Sequence, residues 1–323
     1  MVKGSAAGKR AMCQNAQFLA MYFTQLPDHS IPGFDEQAHF DRFKKQNMIF
    51  NAFSRQSHCP NHVGCLSIKT ALAGEEWYGI DNRAVAVRPG QFLVLNNDQT
   101  YSCQIREGEG ARVLSVFFEK DFAAAVFHDM LYNEERLLER AGYDVGVPEF
   151  FQTLHPVDQD LNRKLVALVD QLAVEGYDRS NTDEHLVFLL RYLVGTFKKE
   201  TRLKDQVSAV KASTKSEIVR RLCIAKDILH SDFRQPLDLG GLGRVVCLST
   251  PQLIRQFKTV FGQTPYQYLV AIRLEHAAKK LRTSDVLVNE LAWHCGFNDA
   301  SAFGRAFRKT YGLSPERYRA VAV

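Results

Sequence analysis

Cysteine is sparse in this chain: seven residues in 323, scattered, with no CxxC pair. That pattern excludes a disulfide scaffold and leads us to expect a reducing compartment, the cytoplasm. Long apolar runs are missing too. The best, Leu186 to Phe197, falls short of the roughly 18 residues a membrane span needs, and Arg191 interrupts it. No apolar segment follows Lys3, Lys9 and Arg10, so no signal peptide is expected. Residues 1 to about 15 read as a frayed terminus, and nothing in the chain is of low complexity. With 46% hydrophobic and 24% charged residues the composition is that of a folded globular protein, not a disordered one. The length fits two or three domains.

Charge is unevenly placed. The net +5 divides into +7 over residues 216–323 and −2 over residues 1–215. A basic final third beside a slightly acidic remainder fits a polyanion-binding module joined to a neutral one. A surplus of solvated lysines and arginines would look the same by this measure.

Between Asn47 and Phe118 the pattern is strand-like. Short runs rich in Val, Ile, Phe and Leu span 47–55, 63–72, 84–87, 91–95, 101–105 and 112–118. Turn signals separate them: Cys59-Pro60-Asn61, Ala73-Gly74, Asp81-Asn82, Pro89-Gly90, Asn96-Asn97-Asp98 and Gly108-Glu109-Gly110. Regularly spaced short strands predict a sandwich or barrel. After Glu119 helical periodicity takes over. Leu161, Leu165, Leu168, Val169 and Leu172 form one apolar stripe, and Leu186, Leu189, Leu190, Leu193, Val194 and Phe197 another. The two stripes serve equally as a dimer seam or as internal core. Residues 201–215, polar and weakly patterned, read as a linker.

The final third contains a duplication. Ser216 opens an amphipathic helix, and two similar segments follow at about 237–262 and 286–312. Each reads as a short helix, a tight turn and a second helix. Phe257-Lys258 in one answers Phe307-Arg308 in the other. Each closes on an aromatic-Gly pair, Phe261-Gly262 or Tyr311-Gly312, and then Thr264-Pro265 or Ser314-Pro315. Gly supplies the left-handed stop and Pro prevents continuation. Ser249 and Asp299 stand where N-caps belong. This is a repeated helix-turn-helix unit.

Three stretches together resemble the AraC/XylS family of transcriptional regulators. They are Ser249–Gly262, the helix Tyr266–Leu281 with Arg273-Leu274-Glu275-His276-Ala277, and the run from Glu290-Leu291-Ala292 through Cys295-Gly296-Phe297 to Ser314-Pro315. The match covers about 100 residues at many fixed spacings. The N-terminal half resembles, more loosely, the cupin-like sensor of that family. The resemblance implies an α+β chain of two domains. Residues 1–200 would be a cupin-like β-barrel or jelly roll with following helices, for sensing and dimerisation. Residues 216–323 would bind double-stranded DNA through the major groove. It further implies an activator, a homodimer, contact with RNA polymerase and control by a small-molecule effector, or, without such a ligand, by a partner protein or self-association. No enzyme or cofactor is implied by the resemblance; a β-barrel enzyme fused to a DNA-binding domain is the remote alternative.

Family resemblance places the second helix of each unit in a major groove, two successive grooves lying roughly 34 Å apart. Leu253, Phe257 and Val260 would face inward in the first such helix, Phe303 and Phe307 in the second. Off those stripes lie Thr250, Pro251, Ile254, Arg255 and Lys258, then Ala300, Ser301, Gly304, Arg305 and Arg308. Arg255 and Arg305 are the expected base readers, each able to address guanine O6 and N7. Lys258 and Arg308 are expected on phosphates. The small residues Ala300, Ser301 and Gly304 leave Arg305 as the main reader of the second helix. Gly240-Gly241-Leu242-Gly243 interrupts the first helix of the first unit with poor helix formers, which predicts loose order there.

In the β-rich half, Phe50, Phe53, Trp77, Tyr78, Phe92 and Tyr101 could line an effector pocket or fill a core. His58, Cys59, His62 and Cys65 are the one local cluster of soft ligands. Their spacing matches no common metal motif, and strand alternation would split them. No His-x-His pattern with a later Glu and His is present, so a metal-dependent oxygenase is not expected. Glu75-Glu76 beside Trp77 reads as a solvated turn.

Overall fold

The short apolar runs pair into two sheets. In this computed structural model the described residues are 21–27, 29, 35–108, 110–132, 148–208 and 211–322. The expected frayed terminus lies outside them. The chain divides into two compact units, one of residues up to Arg83 with Val87–Phe197, the other of Ala84–Ala86 with Lys198 onward.

The first unit opens with β1 (Met21–Phe23), α1 (Glu36–Phe43) and β2 (Met48–Ser54). Strands β3 (Ser57–Val63), β4 (Ser67–Ala73), β5 (Glu76–Ile80), β6 (Arg83–Val87), β7 (Gln91–Leu95), β8 (Thr100–Ile105) and β9 (Ala111–Phe117) follow. Then come α2 (Lys120–Tyr132), β10 (Leu154–Pro156), α3 (Gln159–Val174) and α4 (Arg179–Asp205). One sheet has the order β1-β2-β9-β4-β7-β10 and the other β3-β8-β5-β6.

Register explains which side chains meet. Ile49, Val116, Ile68 and Val94 align in one row across the larger sheet. All four join the main apolar core, with Leu161, Leu165, Leu168 and Leu172 of α3 and Leu186, Leu189, Leu190 and Leu193 of α4. The two helical stripes are therefore internal core. The adjacent row, displaced by one residue and so on the opposite face, is Phe50, Ser115, Lys69 and Leu93. Glu119 starts α2 by accepting the N–H groups of Asp121 and Phe122 at 2.9 and 2.7 Å. Asp158 starts α3 by accepting from Leu161, and it also takes the Tyr192 hydroxyl of α4 at 2.7 Å.

Three expectations need correction here. Cys59-Pro60-Asn61 is not a turn, because β3 runs through it with a bulge between Cys59 and His62. Proline is tolerated where a bulge breaks the ladder. Glu75-Glu76 is not a solvated turn either. Glu76 opens β5 and is buried, and Glu75 accepts from Trp77 Nε1 and Arg88 Nε. The helix expected to open at Ser216 begins earlier. Lys and Arg keep α4 going to Asp205 without an apolar pattern, and the next helix starts at Ala212, four residues before Ser216.

The second unit contains α5 (Ala212–Ser231), α6 (Leu239–Val245), α7 (Thr250–Phe261), α8 (Pro265–Thr283), α9 (Val288–His294), α10 (Ala300–Tyr311) and α11 (Pro315–Ala322). The duplication is geometric as well as sequential. Phe257 lies 4.6 Å from Phe261 and 5.5 Å from Tyr268, between ring centroids. Phe307, fifty residues on, lies 4.6 Å from Tyr311 and 5.3 Å from Tyr318. Gly262 and Gly312 end their helices at φ of 75° and 76°. The spacing slips by one between helices: Leu242 and Gly243 of α6 answer Leu291 and Ala292 of α9, forty-nine residues on, so the second turn is one residue longer.

α6 forms despite its glycines. A Cβ on Gly243 would stand 2.6 Å from the Leu248 carbonyl oxygen, so the close return of the chain requires a minimal residue there. The turns themselves need a left-handed residue. Gly296 fills that place in the second unit at φ 81°, where a Cβ would meet the Arg234 carbonyl oxygen at 2.6 Å. The first unit puts Cys247 in the corresponding place at φ 51°. We expect Cys247→Gly to stabilise this unit by about 1 kcal/mol, by relieving left-handed strain. Gly296→Ala should cost on the order of 2–3 kcal/mol. Urea denaturation followed by circular dichroism reads both, and equal effects at the two positions would refute the assignment.

Candidate nucleic-acid interface and interior cavity

α7 buries Leu253, Gln256, Phe257 and Val260. Its other side exposes Pro251, Arg255 and Lys258, with Thr250 and Ile254 half-buried. Gln256 belongs to the buried side although it is polar, which the apolar stripe did not reveal. Ser249 sits at the N-cap without making a side-chain cap bond. Pro251 in the first turn removes one of the N–H donors such a cap would use. The Arg255 guanidinium makes no ion pair with any described residue, so its fork stays available.

α10 is built the same way with different details. Phe303 and Phe307 are buried, while Ser301, Arg305 and Arg308 are exposed and Gly304 is half-buried. Ala300 leans on the local apolar cluster, so it is partly a packing residue. Asp299 caps the helix, accepting from Ser301 and Ala302 N–H at 2.9 and 3.0 Å. Those two N–H groups hold its carboxyl below the usual range. Arg305 Nη2 stands 3.9 Å from the same carboxylate, which draws the arginine toward the start of its helix.

What positions the two helices is a joint not evident in the sequence. Arg273 of α8 is buried, donating from Nε to the Phe233 carbonyl and from Nη2 to the Gln235 carbonyl, both at 2.7 Å. Its guanidinium lies 5.8 Å from the Phe297 ring, in the turn of the second unit. Phe233 stacks on His276 at 4.1 Å. One side chain thus ties the segment before α6 to the helix that carries the second unit. The only sequence signal was an Arg among apolar residues of a helix, and such residues are ordinarily at the surface.

The first unit contains a cavity of about 50 Å³. Phe50, Tyr78 and Tyr101 line it, together with His29, His39, Cys59, His62, Lys69, Glu76 and Phe117. Phe53, Trp77 and Phe92 do not. Phe53 is exposed, Phe92 faces the helices in the main core, and Trp77 takes the opposite face of β5, 3.9 Å from the Arg106 guanidinium. Alternation along each strand decides these cases. The β3 bulge turns both Cys59 and His62 inward, whereas His58 is exposed and Cys65 is buried just past the strand. Among the described residues no group of three or more His, Cys, Asp or Glu is arranged to hold a metal ion. Burial, then Lys69, His39 and His29, push His62 down to about 2, so its ring is neutral.

Two helix-turn-helix units in tandem, sharing α8 between them, define a double-unit helix-turn-helix protein. Residues 242–320 match the family model described as a helix-turn-helix domain. Over this unit the chain is similar to transcription regulators of the AraC/XylS type. It is 29% identical over 177 residues to the HTH-type transcriptional activator RhaS of Escherichia coli O157:H7, covering 54% of this chain and 59% of that protein. It is 30% identical over 98 residues to the probable transcriptional regulator LumQ of Photobacterium leiognathi, covering 30% and 40%. A solved structure of the DNA-binding domain of AdpA, in complex with a target DNA, is 31% identical. It covers 31% of this chain and 91% of that one, with a TM-score of 0.30. The chain thus spans about three-fifths of RhaS. No helix of the described residues is long and apolar enough to cross a membrane.

Arg273→Met should destabilise the second unit by about 3 kcal/mol, since two buried carbonyls lose charged donors. Arg273→Lys should restore only part of the loss, because an ammonium cannot fork. Thermal denaturation of the two variants checks this, and full rescue by lysine would contradict it.

Proposed function

We propose that this protein is a sequence-specific transcription regulator that binds double-stranded DNA in the major groove through α7 and α10. The observation that carries the reading is the repeated placement of Arg255 with Lys258 and of Arg305 with Arg308, on the exposed sides of two identically scaffolded helices. Guanidinium forks on a helix face are suited to guanine edges, and neighbouring cations to phosphates. Thr250, Pro251, Ile254, Ser301 and Gly304 complete the contact faces. Ala300 belongs at their margin. RhaS is named an activator, and activation is the mode we assign here. Residues 1–200 act as the sensor, and their cavity admits a small-molecule effector. Residues 216–323 act as the DNA-binding half. Homodimerisation and contact with RNA polymerase, in the cytoplasm, complete the proposal.

The test begins by sequencing genomic DNA fragments that the purified protein retains. On those fragments and single-base variants of them, Arg255→Ala and Arg305→Ala should each lose about 1–3 kcal/mol of discrimination at one position. Lys258→Ala should weaken binding to every variant alike and lower the salt slope by about one ion. A uniform loss for the two arginine variants would overturn the base-reading role.

A further inference from the structure

Lys69 sits in the middle of the larger sheet, on β4 between β9 and β7, and is 2% exposed. Its ammonium makes no ion pair or hydrogen bond with any described residue. What it has instead is aromatic: Nζ lies 3.2 Å from the Phe117 ring centroid and 5.5 Å from that of Tyr101. A cation–π contact repays only part of what a buried cation loses by leaving water. The nearby acid, Glu76, forms no ion pair with it and is engaged by a tyrosine instead. The Tyr78 hydroxyl donates to Glu76 Oε2 at 2.5 Å, and burial drives the Glu76 carboxyl toward its protonated form, against the pull of Tyr78 and Lys69. Burial lowers Lys69 itself to about 8, which leaves it cationic at neutral pH. Lys69 thus lines the cavity with aromatic neighbours in place of an ion-pair partner, beside the rings of Phe50, Phe117 and Tyr101.

We propose that this cavity takes a small monocarboxylate, its anionic head on the Lys69 ammonium and its apolar body against Phe50 and Phe117. The proposal deepens, and rests on, the reading of this half as a sensor. A carboxylate supplies the ion-pair partner that the ammonium lacks, the aromatic walls favour an apolar body, and a volume of about 50 Å³ restricts that body to a compact one. A bare inorganic anion would leave the walls without a partner.

The full chain is to be melted with acetate, butyrate or benzoate, and with acetamide, butyramide or benzamide as neutral shape matches. Inorganic phosphate at equal ionic strength is the third arm. We expect at least one carboxylate to raise Tm by about 5 °C at roughly a hundred times its Kd, and its amide to leave Tm unchanged. Lys69→Met should raise Tm without ligand and abolish the response. Lys69→Gln serves if the methionine variant does not fold. Amides as effective as carboxylates, an equal shift with phosphate, a variant that still responds, or no shift with any carboxylate would each overturn the proposal. DNA retention is measured in parallel. A carboxylate that shifts Tm without altering retention supports the ligand class and refutes effector control. Failure to retain DNA at all refutes the regulator reading and leaves the Tm result standing.

Discussion

The C-terminal unit depends on one buried guanidinium. An arginine taken out of water is tolerated only where acceptors replace its hydration. Arg273 finds them in two main-chain carbonyls, Phe233 and Gln235, that belong to no helix and would themselves be poorly satisfied without it. The need is mutual, so the loop between α5 and α6 is held to α8 at a fixed point. Phe233 on His276 and Phe297 beside the guanidinium pack around that point. Both α7 and α10 are placed around α8, the first through Phe257 on Tyr268, the second through the turn that Gly296 closes against Arg234.

The helical unit was legible in the sequence almost residue by residue, since its signals are local. Caps, glycine stops and the aromatic position before each basic residue recur at one spacing, and exposure along α7 and α10 follows the apolar stripe. Arg273 was not legible, because its partners lie about forty residues upstream and are backbone atoms with no side-chain signature. The glycines of α6 were misleading for a related reason. Propensity counts their cost, while the approach of Leu248 that requires one of them is a tertiary fact.

The β-rich unit was legible only in outline. Most strands fell where apolar runs predicted, but β3 and β5 were hidden behind Pro60 and the Glu75-Glu76 pair. Aromatic content indicated a lined interior without saying which rings face it, since the two sides of a strand are distinguished only by register. Half of the expected lining, Phe53, Trp77 and Phe92, accordingly belongs elsewhere. The polar members of the cavity were the least visible, because a lysine in the middle of a strand reads as a solvent-facing residue until both faces of the sheet prove to be covered.

The one-residue slip between the repeats has a further consequence. From cap to glycine stop α7 and α10 keep the same spacing, and each packs an aromatic trio at matching positions, Phe-Phe-Tyr in one and Phe-Tyr-Tyr in the other. The longer turn lies wholly upstream of that stretch. Residues 249–262 and 299–312 therefore align position for position, and the inserted residue lies outside both. What each copy contacts can thus diverge, or be rewritten, independently of how it is held.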